Sequence, residues 1–187
     1  MKELRAAPNQ LTLMRLCMVP FLVIAVLDGS YKTGFVLFLI AGITDGLDGL
    51  LARLLHQRTV LGQYLDPVAD KLLLSTLFLV LNHQGLISQR VTVLVFGRDL
   101  GILIVAAILY ASTGIREFRP SIYGKANTVA QIIALMSVLL AEFYRPAFVL
   151  AIRRFSLDAT MALTVVSGFQ YAWRVTRRLA LPLPIRP

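Results

Sequence analysis

The chain has 187 residues, of which 57% are hydrophobic and 16% are charged, whereas soluble domains carry about 45–50% apolar and about 25% charged residues. Its net charge is +9, and its single cysteine excludes an internal disulfide. This composition excludes a disordered or collagen-like chain, favours a membrane protein over a nucleic-acid-binding protein, and limits residues 1–187 to one domain.

Apolar segments follow one another along the chain and predict six membrane-spanning helices. The segments cover residues 11–27, 34–55, 65–81, 91–111, 127–141 and 157–173. They are continuous apolar runs, without the two-residue alternation of a membrane β-barrel. We therefore predict an all-α, polytopic membrane helix bundle with an N-terminal interfacial segment.

Charged residues interrupt these segments. The longest runs without Asp, Glu, Lys, Arg or His, residues 100–115 and 126–141, have 16 residues each, fewer than the about 18 expected of a purely lipid-embedded helix. Residues that break apolar runs in a membrane protein are candidates for a functional site.

Basic residues are distributed unequally between the two predicted membrane sides. With a cytoplasmic N-terminus, eleven of the 19 basic residues lie on the cytoplasmic side, five on the other side and three within spans. By the positive-inside rule, both termini are predicted to be cytoplasmic. Arg153 and Arg154, beside the last span, locally favour the reverse orientation.

Four carboxylates fall within one window of the second and third spans: Asp45, Asp48, Asp66 and Asp70. Asp45 and Asp48 are three residues apart, and Asp66 and Asp70 are four apart. The two members of each pair therefore share a helix face. Sequence proximity offers only Lys71, Arg53 and Arg98 as counter-charges, so divalent cations are the more economical partner. Oxygen ligands without His or Cys indicate Mg²⁺ or Mn²⁺ rather than zinc.

The residues around these acids favour a diphosphate substrate. Gly49, Ala52 and Gly62 are small enough for close helix packing or for a phosphate-bearing ligand to lie against the backbone. Arg53, one turn after Asp48, offers a bidentate phosphate donor.

The pattern Asp45-x-x-Asp48-Gly49-x-x-Ala52-Arg53, eight residues, then Gly62-x-x-x-Asp66-x-x-x-Asp70 resembles the CDP-alcohol phosphatidyltransferase signature at every fixed position. Three further stretches resemble the branch of that family making phosphatidylglycerophosphate or cardiolipin: Pro8-Asn9-x-Leu11-Thr12-x-x-Arg15, Leu65-Asp66-Pro67-x-Ala69-Asp70-Lys71 and Gly124-Lys125-x-Asn127-Thr128-x-x-Gln131.

The resemblance implies roles for the acidic residues. Asp45, Asp48 and Asp66 would bind two divalent metals that hold the CDP diphosphate, and Asp70 would complete the second metal site. Asp70 would also accept the proton of the acceptor hydroxyl, which attacks the β-phosphorus and releases CMP.

The resemblance also implies a binding region for CDP-diacylglycerol, and the basic residues suggest a second region for the acceptor. The region for CDP-diacylglycerol has the following candidates: Gly49, Ala52, Arg53, Thr59, Gly62, Asn9 and Thr12. Helix capping or snorkelling explains Asn9, Thr12 and Arg15 almost as well. Arg98, Arg119 and Lys125 are candidates for binding the acceptor phosphate, although an Arg98–Asp99 ion pair and a flanking charge at Lys125 are the simpler alternatives.

The predicted function is an integral membrane phosphotransferase, a homodimer by family resemblance, with its active site at the cytoplasmic leaflet. CDP-diacylglycerol would enter from the membrane lipids, and the expected acceptor is glycerol 3-phosphate. The alternative acceptor is phosphatidylglycerol, because Gly97-Arg98-Asp99 resembles eukaryotic-type cardiolipin synthases. Lower-ranked hypotheses are an Asp-rich membrane prenyltransferase and a non-enzymatic cation-binding membrane protein.

Overall fold

A computed structural model describes residues 7–54, 60–113 and 122–179, with side chains described from residue 10 onward except at positions 11, 48–54, 60–67, 106–113 and 178–179. In these ranges the chain forms six helices and no strand: α1 (Ala7–Leu27), α2 (Tyr31–Leu54), α3 (Val60–His83), α4 (Gln89–Thr113), α5 (Ile122–Phe143) and α6 (Ala147–Leu179).

The predicted all-α class and the six predicted helices are confirmed, but every helix is longer than its apolar segment. Residues 7–10, expected before the first span, continue directly into α1. The largest difference is α6, which has 33 residues and extends beyond the predicted 157–173 at both ends. Polar residues end an apolar run without ending a helix, because the helix satisfies its own backbone hydrogen bonds.

Two of the described turns use a glycine with positive φ to stop a helix. Gly29, at the end of α1, has φ 71°, and Gly85, after α3, has φ 72°. The amides of Ser30 and Leu86 donate to the carbonyls of Ala25 and Leu81 at 2.8 and 2.9 Å. This six-to-one hydrogen bond and left-handed glycine form the Schellman motif.

Side-chain hydrogen bonds join the helix ends at these turns. Gln84 donates to the carbonyls of Val26 and Leu27 at 2.9 and 2.8 Å. Arg153 of α6 donates to the Leu86 carbonyl at 2.7 Å and pairs with Glu142 of α5 at 3.2 Å. Arg153 therefore has a structural role at the end of the bundle formed by these turns. In the sequence, the same residue had locally favoured the reverse membrane orientation.

The helices pack so that α1 contacts α2 and α3, α5 contacts α2 and α6, and α4 contacts α3 and α6. Buried side chains from the first five helices form one apolar core, which includes Val26, Phe38, Phe78, Val95 and Leu139. This core holds α2 and α3, the two helices that carry the acidic residues, against α1.

Large apolar side chains also cover the outside of the bundle. Phe155 and Phe169 of α6 are each 76% exposed, and Phe21 of α1 is 64% exposed. Among the described helices, one, Ile122–Phe143, is long and apolar enough to cross a membrane by length and composition alone.

Candidate active site

The four aspartates lie on two consecutive helices, as their spacing predicts. Positions 45 and 48 lie in α2, and positions 66 and 70 lie in α3. The side chains of Asp48 and Asp66 lie outside the described residues, whereas those of Asp45 and Asp70 are described and are 48% and 39% exposed. A ligand can therefore reach both described carboxylates.

Arg15 of α1 brings Asp45 and Asp70 together. Its Nη1 lies 2.7 Å from Oδ1 of Asp45 and 2.5 Å from Oδ1 of Asp70, while the Arg15 side chain is only 1% exposed. One guanidinium thus joins three helices. Because Arg15 points into the bundle, snorkelling toward the membrane surface does not describe it.

The arrangement of Asp45 and Asp70 suits a hard cation. Carboxylate oxygens from two helices converge on one cationic nitrogen, and carboxylates are the protein ligands preferred by Mg²⁺. Among the described side chains, no three His, Cys, Asp or Glu residues form a group that could hold a metal ion. Asp48 and Asp66 are the residues expected to complete such a group.

A second charge cluster lies beside this site. Asp99 of α4 is 3% exposed and contacts two cations: Lys71 Nζ at 2.8 Å and Arg98 Nη1 at 2.7 Å. The Lys71 contact is electrostatic, since its geometry does not align a hydrogen bond. Arg98 Nε also donates to Ser167 Oγ of α6 at 3.2 Å. This cluster joins α3 and α4 to α6.

Two of the three basic residues that were expected to neutralise the four aspartates pair with a different carboxylate. Among described side chains, Arg15 pairs with Asp45 and Asp70, whereas Lys71 and Arg98 pair with Asp99. Lys71 follows Asp70 by one position, so the two side chains point about 100° apart around the helix. Sequence proximity did not predict the partner of Asp45 and Asp70, because the charge that neutralises them, Arg15, comes from another helix, α1.

Polar contacts continue into α5. Thr164 of α6 donates to Oδ1 of Asn127 at 3.0 Å, and both residues are buried. One turn further, Gln131 and Thr160 are fully buried, and their side chains make no hydrogen bond with the described residues. We call the residues joined by these contacts the polar layer: Arg15, Asp45, Asp70, Lys71, Arg98, Asp99, Asn127, Thr164 and Ser167. It includes side chains from all six helices.

The remaining predicted site residues are placed as follows. Thr12 is 2% exposed and lies one turn before Arg15 on α1, and Lys125 is exposed in the first turn of α5. Thr59 and Arg119 lie outside the described residues. Helix positions, but no side chains, are described for Asn9, Gly49, Ala52, Arg53 and Gly62. The binding roles of these residues stay predictions.

The Arg98–Asp99 ion pair, which was the simpler alternative for these residues, is present. Acceptor binding by Arg98 stays a prediction, and the pair limits the positive charge that Arg98 can offer. The Lys71–Asp99 contact and the Thr164–Asn127 hydrogen bond were not predicted. The sequence signals at these positions were polar residues within apolar segments and, for Lys71 and Asn127, their place in the stretches that resemble the family.

The sequence profile described as CDP-alcohol phosphatidyltransferase matches residues 5–169. The chain belongs to this family. The matched range contains α2, α3 and every residue of the polar layer, so the site described above lies within the family's shared region.

Individual relatives agree with this membership. The chain is 34% identical over 170 residues to the CDP-diacylglycerol--glycerol-3-phosphate 3-phosphatidyltransferase of Aquifex aeolicus, with 88% of this chain and 92% of that protein covered. It is 32% identical over 179 residues to the Bacillus subtilis protein of the same name, with the same coverage. The human cardiolipin synthase (CMP-forming) is 30% identical over 158 residues, with 75% of this chain and 52% of that protein covered.

Proposed function

We propose that the chain transfers the phosphatidyl group of CDP-diacylglycerol to glycerol 3-phosphate, forming phosphatidylglycerophosphate and releasing CMP in phospholipid biosynthesis. The observation that carries this proposal is the similarity to the two bacterial enzymes over 88% of the chain. The convergence of Asp45 and Asp70 on one cation, in helices that carry the family's acidic pattern, supports it.

The enzyme is a single polytopic membrane domain over residues 1–187, with both termini and the active site on the cytoplasmic side. The exposed apolar side chains around the bundle support this arrangement, since soluble proteins rarely expose large apolar surfaces. The polar layer explains why these helices contain more charged residues than a helix surrounded by lipid would. Their polar side chains contact one another instead of lipid. The family resemblance supports a homodimer.

In the proposed reaction the acceptor hydroxyl oxygen attacks the β-phosphorus, and the bond to CMP breaks. Asp70 accepts the hydroxyl proton; its partial exposure lets an acceptor reach it. Asp45, Asp48, Asp66 and Asp70 would hold two Mg²⁺ or Mn²⁺ ions, which would neutralise charge on the diphosphate. This chemistry needs positioned charge more than covalent participation by the protein.

Two groups of residues would bind the substrates. Those for CDP-diacylglycerol are Asn9, Thr12, Gly49, Ala52, Arg53, Thr59 and Gly62. Lys125, Arg119 and Arg98 would bind the acceptor phosphate. The exposure of Lys125 supports its assignment, because an acceptor from the cytosol can reach it without rearrangement of the helices.

The test offers each acceptor in turn to the purified enzyme with CDP-diacylglycerol, and identifies the lipid product by mass spectrometry. Glycerol 3-phosphate should give phosphatidylglycerophosphate together with CMP. The Lys125→Ala variant should raise the KM for glycerol 3-phosphate by about tenfold, as expected for one charge-assisted contact, and should change the KM for CDP-diacylglycerol little.

Cardiolipin synthesis is the second candidate, because the human cardiolipin synthase is also similar. Phosphatidylglycerol would then give cardiolipin, and glycerol 3-phosphate would give no lipid product. That result would replace the proposed acceptor while keeping the chemistry. A chain that forms neither lipid and releases no CMP would rule out both assignments.

A further inference from the structure

Arg15 is the feature that the proposed function does not use. It lies on α1, outside the two helices of the acidic pattern, and is among the largest fully buried side chains. A buried guanidinium is costly unless it is paired, and its described partners are Asp45 and Asp70. These are two of the proposed metal ligands.

Arg15 and a divalent cation require the same carboxylates. Nη1 of Arg15 contacts an oxygen of each aspartate at ion-pair distance, so a metal bound by those oxygens would lie within a few ångströms of a fixed positive charge. Like charges at such separations repel strongly where water is limited. The guanidinium therefore opposes metal binding while it stabilises the metal-free site.

We propose that Arg15 is a resident counter-cation of the metal site: it neutralises Asp45 and Asp70 before the metal binds, and its charge lowers the affinity of the site for divalent cations. The inference rests on the proposed function, because it requires that the aspartates bind metal. Arg15 is thus a positioning residue, acting through the carboxylates rather than on the substrate.

Loss of the Arg15 charge should not separate the helices. Besides this ion pair, α1 contacts α2 and α3 through the apolar core, in which Leu22 and Val26 are buried. The two carboxylates would stay close to each other without the charge of Arg15. Compared with the wild-type site, such a site would be less stable without metal and would bind metal more tightly.

The experiment compares wild-type enzyme, Arg15→Gln and Arg15→Lys in detergent without substrates. Mn²⁺ binding is followed by the electron paramagnetic resonance signal of free Mn²⁺, and Tm is measured in EDTA and in saturating Mn²⁺. Arg145→Gln is the control, because Arg145 also pairs with a carboxylate but lies at the opposite end of the bundle and is 65% exposed.

We expect Arg15→Gln to lower Tm in EDTA, to show a larger Tm increase with Mn²⁺ than the wild type, and to bind Mn²⁺ about tenfold more tightly. Arg15→Lys keeps the charge and should bind Mn²⁺ within about threefold of the wild type. Arg145→Gln should match the wild type in Mn²⁺ affinity.

Equal or weaker Mn²⁺ binding by Arg15→Gln would overturn the proposal and leave Arg15 a structural residue. So would an Arg15→Gln chain that stays unfolded even in Mn²⁺, since a divalent cation should replace the lost charge. Absence of Mn²⁺ binding in the wild type would refute the metal site itself. A different acceptor would change none of these results.

Discussion

At the residue scale, the ion pairs of the bundle differ in burial and therefore in how much they should contribute to stability. Asp99 is 3% exposed and contacts Lys71 and Arg98, whereas the Arg145 partner of Glu142 is 65% exposed. Removing one member of a buried ion pair leaves an uncompensated charge, while an exposed pair contributes little.

Asp99→Ala should therefore destabilise the protein by about 3 kcal/mol and lower its Tm in detergent. Lys71→Met should cost less, because Asp99 keeps Arg98 as a partner. Arg145→Gln should change stability by at most about 1 kcal/mol. Equal Tm values for Asp99→Ala and Arg145→Gln would show that the cluster around Asp99 does not stabilise the bundle.

At the element scale, the close approach of α1 and α2 depends on Gly34. A Cβ atom added at Gly34 would lie 3.0 Å from Cγ2 of Val26, whereas one added at Gly42 on the same helix would meet nothing within 4 Å. Val26 is fully buried, and its branched side chain has little freedom to move aside.

We expect Gly34→Ala to lower the free energy of unfolding by about 1 kcal/mol through overpacking. Gly42→Ala should raise it by up to about 1 kcal/mol, since alanine favours a helix interior. Thermal denaturation of both variants in one detergent gives the comparison. A stabilised Gly34→Ala variant would contradict the tight contact between α1 and α2.

The helices could be predicted from the sequence better than the contacts between them. Six apolar segments predicted six helices, and they placed the four aspartates on the second and third of these helices, where the structure has them. The helix lengths could not be predicted, because hydropathy does not detect helical turns that carry charged residues. Arg153, for example, lies before the predicted last segment but within α6, where it pairs with Glu142. Arg15 was not assigned because its partners are 30 and 55 residues away.

At the scale of the whole molecule, the proposed membrane orientation places the polar layer and the chain termini toward the cytoplasm. The described turns after Leu27, His83 and Phe143 then lie on the opposite side. With 33 residues, α6 is about 50 Å long, longer than the hydrocarbon core of about 30 Å. Its last turns, where Arg177 stacks on Trp173 at 5.0 Å, would extend beyond the core.

Labelling of single cysteines tests this orientation in a Cys17→Ser background. Tyr144→Cys lies in the turn between α5 and α6, and Arg177→Cys lies near the end of α6. A membrane-impermeant maleimide should label Tyr144→Cys only in right-side-out vesicles and Arg177→Cys only in inverted ones. The reverse pattern would show that the positive-inside argument fails here.

The proposed function requires that the aspartates of α2 and α3 hold divalent cations during phosphatidyl transfer. Release of CMP from CDP-diacylglycerol, measured with purified enzyme and glycerol 3-phosphate, tests it most directly. CMP release should require Mg²⁺ or Mn²⁺, should stop in EDTA, and should fall by at least about 100-fold in Asp66→Ala and Asp70→Ala. CMP release that continued without a divalent cation, or at the wild-type rate in these variants, would contradict the account.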